Sequence, residues 1–116
     1  MKDNVVKDKS LEFAVRIVNL YKFLVNEQKE FVMSKQILRS GTSIGANIRE
    51  AEQAQSRGDF INKLNIALKE ANETEYWLEL LIRTEYITRE QYESINNDST
   101  EINKLLISII KTTKNN

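Results

Sequence analysis

Two glutamates, Glu52 and Glu75, fall at apolar positions of a helical repeat. A pair of carboxylates buried together performs general acid–base chemistry when their surroundings push the two pKa values apart. Carboxylates at such positions also serve as plain hydrogen-bonding groups at helix ends and contacts, so spacing leaves both readings open. Most other site chemistry lacks its reagents. The chain contains no His and no Cys. A Ser-His-Asp or Cys-His nucleophile, a Cys/His zinc site and the Glu-x-x-His di-iron site of many helical bundles therefore cannot be assembled. Neither metal nor cofactor is expected, and the protein reads as a non-enzyme.

A second stretch, RSGTSIGANIREAEQAQSR (residues 39–57), invites a phosphate-loop reading through Gly41 and Gly45. Their spacing of four matches neither G-x-G-x-x-G nor G-x-x-x-x-G-K-[ST], and no strand precedes them. On a helix the same spacing makes a notch where another backbone approaches closely, by analogy with membrane helix pairs. Each mid-helix glycine costs ~1 kcal/mol relative to alanine, which close packing must offset.

These residues need helices to place them, and apolar spacing of three and four supplies four blocks. The first helix covers about 8–28, with Leu11, Ala14, Ile17, Val18, Tyr21 and Val25 as its stripe and Phe13, Leu20 and Leu24 widening it. The second covers about 34–55 through Ile37, Leu38, Gly41, Ile44, Ile48 and Ala51. The third, about 57–85, opens behind a Ser56-x-x-Asp59 cap and uses Phe60, Leu64, Ala67, Ala71, Leu78 and Ile82. The fourth, about 88–114, starts at Thr88 with Gln91 three residues on and continues through Ile95, Ile102, Leu106 and Ile110. The Asn, Asp and Ser residues of INNDST (95–100) compete for backbone hydrogen bonds, so local looseness is expected there. Short connections make successive helices antiparallel neighbours. The expected fold is all-α, one domain over residues 1–116, an up-down-up-down four-helix bundle.

Totals agree with that architecture. The chain has 116 residues, no Pro and three Gly, which favours long unbroken helices. Lys plus Arg and Asp plus Glu stand at 17 each, so no global field draws in nucleic acid. No secretory h-region and no apolar run of ~18 residues is present, so no membrane partner and a cytoplasmic location are expected.

Two faces remain after the core is assigned. On the second helix, Lys35, Arg39, Arg49 and Arg57 lie along one narrow basic stripe, a candidate nucleic-acid contact. Beside it runs a strip of small polar residues that includes Ser43 and Asn47, suited to a close packing contact. On the third helix Ile66, Glu73, Trp77 and Leu80 form an outward line, and an outward tryptophan beside leucine favours burial by a partner. Residues 34–57 carry four basic and two acidic side chains, and residues 59–85 carry three basic and six acidic. Opposite-sign faces of this kind meet either within one bundle or between subunits in a head-to-tail contact.

The blocks RSGTSIGANIREA, AQSRGDFINKL and ALKEANETEYWLELL, in that order within residues 35–81, resemble the four-helix bundle proteins named for the intervening sequences of bacterial 23S rRNA genes. Versions from the Bacteroides group are the most similar. The resemblance extends through the flanking helices to essentially the whole chain. It implies an up-down bundle assembled as a homopentameric ring, with no enzymatic activity and no established biochemical role. It also implies kinship with the accessory proteins of diversity-generating retroelements, strongly basic pentamers that bind nucleic acid and a reverse transcriptase. The zero charge balance departs from that branch, so nucleic-acid affinity does not carry over; only the stripe is left to contact RNA. The expected partners are the chain itself, with RNA or the product of a neighbouring gene as alternatives.

Overall fold

The structure, a computed structural model, describes residues 4–116; the first three residues of the expected 1–116 domain lie outside the described residues. Four helices follow one another: α1 (Asn4–Asn26), α2 (Met33–Glu52), α3 (Arg57–Arg83) and α4 (Arg89–Lys114). No strand occurs among the described residues. Each helix packs on its chain neighbours, α4 returns against α1, and the backbones of the diagonal pairs stay further apart. The molecule measures 47 × 21 × 19 Å. A 27-residue helix is about 40 Å long, so the bundle is one helix long and two helices thick.

Residue pairs across three of the four seams order the bundle. Ile17 meets Gly41 while Ser10 meets Gly45. Ser40 meets Thr74 while Glu50 meets Lys63. Arg16 reaches Ser94 and Asp98 while Lys9 reaches Glu101. At each of these seams, moving forward along one helix means moving backward along its neighbour.

Helix ends explain where the elements stop. Ser56 accepts the Asp59 N–H at 3.0 Å and caps α3. Thr88 and Gln91 exchange bonds in a full capping box at α4, at 3.1 and 2.8 Å. Helix α2 has no such residue at its N-cap position, Val32. Instead Glu30, from the connection before it, turns its carboxylate onto the N–H groups of Val32, Met33 and Ser34 at 3.2, 3.0 and 2.7 Å. A charged acceptor placed at the positive end of the helix does the work of a cap. Lys29 makes this turn possible: its φ of 54° lets the Glu30 N–H reach back to the Leu24 carbonyl at 2.9 Å. Helix α1 starts before the expected residue 8, at Asn4, and α2 and α3 end a few residues short of expectation. The fourth helix runs unbroken through 95–100. There Ser99 is wholly buried and spends its hydroxyl on a neighbouring helix.

The core is built from Phe13, Ile17 and Leu24 of α1, Ile37, Ile44 and Ile48 of α2, Leu64, Leu78 and Leu81 of α3, and Ile102 and Leu106 of α4. On α1 this corrects the expected stripe. Leu11 is half exposed and Val18, Tyr21 and Val25 are only half buried, whereas Phe13, Leu20 and Leu24, read as a widening, form the core face. Apolar residues occupy so much of the α1 circumference that periodicity cannot choose between its two sectors. The sector chosen by packing leaves the other one facing outward.

Candidate interaction faces

The two core-face glutamates are held apart. Glu52 pairs with Lys7 at 3.0 Å across the α1–α2 seam. Glu75 sits on the α3–α4 seam, where its carboxylate accepts from Ser99 Oγ at 2.9 Å and Asn103 Nδ2 at 2.6 Å. Each is tied to a different helix, and nothing in the arrangement makes them an acid–base couple. The Asn103 Oδ1 beside Glu75 is buried and has no partner.

The glycines serve the chain's own packing. A Cβ at Gly41 would stand 2.7 and 2.8 Å from Ile17 Cγ1 and Cγ2. A Cβ at Gly45 would stand 3.2 Å from Ser10 Oγ and 3.4 Å from its carbonyl oxygen. The notch is thus already filled by α1. It brings α1 against α2 closely enough for the two to share one core.

The basic stripe is divided by its surroundings. Arg39 donates to Glu70 at 3.1 Å and to Glu73, so its charge is spent across the α2–α3 seam. Arg57 is not on α2 at all: the helix ends at Glu52, and a turn at 53–56 makes Arg57 the first residue of α3, off the stripe expected on the second helix. Lys35, Arg49 and Arg57 are exposed and make no ion pair among the described residues. A helical wheel finds the line of cations on α2 but cannot say which of them an acidic neighbour claims.

Glu73 collects two donors, Arg39 and the Trp77 indole N–H at 3.0 Å. The hydrogen bond from Trp77, followed by that from Arg39, holds its carboxyl below the usual carboxylate range. Its partner Arg39 is pushed further up by the bond to Glu73. Trp77 itself packs on the core and meets Tyr76 edge-on, ring centres 5.0 Å apart. The outward line of α3 is therefore partly satisfied at home: Ile66, Glu73, Trp77 and Leu80 are all half buried. The residue sequence reasoning missed is Tyr76, exposed over more than half its surface next to Trp77.

Small polar residues on α2 bond to their own helix. Thr42 Oγ1 donates to the Leu38 carbonyl at 2.7 Å, Ser43 Oγ to that of Arg39 at 2.6 Å, and Asn47 Nδ2 to that of Ser43 at 2.9 Å. Donors satisfied in this way carry their bonds into any contact that covers them, so covering the strip costs less desolvation than covering free hydroxyls. Among the described residues no group of His, Cys, Asp and Glu side chains could hold a metal ion, and no helix is long and apolar enough to cross a membrane.

Comparison with known proteins adds a lineage to this geometry. Residues 2–108 match the family model described as 23S rRNA-intervening sequence protein. A search of curated proteins gives no match. Among solved structures, the chain is similar to a protein with unknown function from the S23 ribosomal protein family of Bacteroides thetaiotaomicron VPI-5482. The two are 99% identical, the match covers 96% of this chain and 99% of that one, and the TM-score is 0.94.

Proposed function

The chain belongs to the 23S rRNA-intervening sequence protein family, and from that membership we propose a cytoplasmic, non-enzymatic scaffold or adaptor that works as a homo-oligomer. In this reading the unit is an antiparallel up-down-up-down bundle, as the opposed residue pairs at its seams support. The assembly is a closed ring, with five copies as the sequence resemblance implies.

The observation that carries the reading is the pair of outward apolar faces flanking α2. Leu11 and Val15 stand on α1 and Tyr76 on α3, each at least half exposed. Between them lies the strip of Thr42, Ser43 and Asn47 with its donors already bonded. A subunit with two unlike sticky faces makes head-to-tail contacts, which close into rings when the rotation allows. Light scattering after gel filtration tests it: the expected mass is a fixed multiple of 13.5 kDa, reduced for Trp77→Ala. A monomeric wild-type protein refutes the reading.

A second reading, RNA binding, keeps the three cations Lys35, Arg49 and Arg57 that no carboxylate claims. Repetition around a ring multiplies three weak phosphate contacts into avidity. Such binding falls with salt, with a log–log slope of roughly 0.7 to 0.9 per phosphate neutralised. Gel shifts at low salt with wild type and with Arg49→Glu/Arg57→Glu decide it, and equal binding by the two refutes it.

A further inference from the structure

Helix α4 carries its outward charges in order. Positions alternately three and four residues apart make one line on its solvent side, the spacing of a helix–helix seam. The line opens with two exposed acids, Glu90 and Glu93, and closes with two exposed bases, Lys111 and Lys114. Between them come Asn97 and Thr100, then Lys104 and Ile107. Ile107, 53% exposed, is the large apolar side chain that α4 leaves open among the described residues. We infer that two copies of the chain associate through this face, α4 against α4 in antiparallel sense, about a two-fold axis level with residue 102. The contact goes beyond the ring reading above and is separate from it. Helix α4 lies diagonally across the bundle from α2, so the faces flanking α2 stay free.

Register is the first support. Glu90 and Lys114 stand twelve residues on either side of 102, and Glu93 and Lys111 stand nine. One antiparallel alignment therefore sets both acids of each copy opposite both bases of the other, four ion pairs in all. The same alignment sets Asn97 opposite Ile107 and Thr100 opposite Lys104, where the lysine stem can cover apolar surface. Glu93 and Lys111 are five full turns apart and project in one direction. Glu90 and Lys114 lie about 60° to either side of that direction, and the left-handed winding of a three-and-four repeat keeps them in the seam. A parallel alignment sets acid against acid and base against base. Near the axis the two copies of Lys104 approach each other, and Glu101 at the edge of the face stands within one position of the other copy's Lys104 to offset them.

Availability is the second support. Glu90, Lys104, Lys111 and Lys114 make no ion pair among the described residues, and Glu93 reaches Arg89 only at 4.0 Å. Acids at the start of a helix and bases at its end also complement its own dipole, but that effect falls off within the first and last turn. Glu93 stands in the second turn of α4 and Lys104 ten residues before its end, so the dipole does not account for the whole order.

Asn97→Cys/Ile107→Cys and the two single variants test the pairing in a chain with no cysteine of its own. After circular dichroism shows wild-type helicity, each is treated with a short bismaleimide at about 0.01 M and about 1 M salt, between which the screening length falls from ~30 to ~3 Å. The expected result at low salt is covalent dimer and nothing larger from the double variant, with monomer from each single variant; at high salt the dimer is lost. Dimer from either single variant overturns the pairing, because each residue would then meet its own copy. A ladder beyond dimer overturns it too, since a two-fold contact closes on itself. No dimer from the double variant overturns it whatever the mass of the wild-type assembly, so the ring reading stands or falls on its own measurement. Glu90→Lys/Glu93→Lys and Lys111→Glu/Lys114→Glu, each added to the cysteine pair, are expected to lose the dimer singly and regain it when mixed in equal amounts. Two helical variants that fail to regain it overturn the ionic register.

Discussion

Gly41→Ala sets two known effects against each other at one atom. In an ordinary helix interior the exchange favours the folded state by ~1 kcal/mol, because alanine restricts the unfolded chain and glycine does not. Here the new methyl would lie 2.7 and 2.8 Å from the two γ-carbons of Ile17 and 3.2 Å from its Cβ. Carbon atoms rest at about 3.5–4.0 Å, so close to 1 Å of separation must be found. Rotating Ile17 about χ1 exchanges one γ-carbon for another and leaves Cβ in place, so α1 must move away from α2. Overpacking of this kind costs ~1–3 kcal/mol. With the propensity gain subtracted, Gly41→Ala should destabilise by about 0–2 kcal/mol. Ile17→Ala alone should cost ~2–5 kcal/mol through the cavity it leaves. Combined, the two should lose less than their sum, with a coupling of at least ~1 kcal/mol, since the added methyl occupies space the isoleucine vacated. Urea titration followed by circular dichroism at constant m-value measures all three. A Gly41→Ala variant more stable than wild type, with additive behaviour in the double, would show that the notch is not filled by Ile17. Gly45→Ala is the internal contrast. Its nearest neighbour is the Ser10 hydroxyl at 3.2 Å, at the end of a short side chain that can turn, so a net change near zero is expected.

Three further outcomes follow from the site geometry. Glu30→Ala should cost about 2 kcal/mol in urea titration, because three N–H groups of α2 lose a charged acceptor, and Glu30→Gln should recover part of it. Glu85 holds a φ of 66°, a region costly for side chains other than glycine, so Glu85→Gly should raise stability by roughly 0.5 kcal/mol on the same assay. The folded-state pKa of Glu73 is depressed, so its contribution is complete above the unfolded carboxylate value near ~4.3 and is lost as pH falls through the lower folded value. Trp77, the chain's one tryptophan, should report that protonation as an emission change once the pH has fallen below the ordinary carboxylate range, and a Glu73→Gln variant that kept the same transition would refute the assignment.

Features legible in the sequence were those that a single helix displays by itself. Four helical periods, the Ser56 cap and the Thr88–Gln91 box are local, and the structure contains each of them. What escaped depends on a second element. Glu30 caps α2 from two residues before Val32, with a longer side chain than capping rules look for, and only the turn at Lys29 aims it. Arg39 looked like its neighbours on the stripe until α3 placed Glu70 and Glu73 beside it. The same holds for α1, where two apolar sectors competed and packing chose the one through Phe13 and Leu24.

Three of the four seams join helices adjacent in the chain, while the fourth, α1 to α4, joins residues far apart in it, with Arg16 to Ser94 and Asp98 spanning 78 to 82 positions. Each sequential seam can zip from its own short connection, but the last must wait for a loop of most of the chain to close. The Arg16 bonds should therefore be nearly absent from the folding transition state and present in the native state. That places them where they slow the opening of the bundle while leaving its rate of formation almost untouched, so that α1–α4 acts as a latch on lifetime and not as a seed for folding.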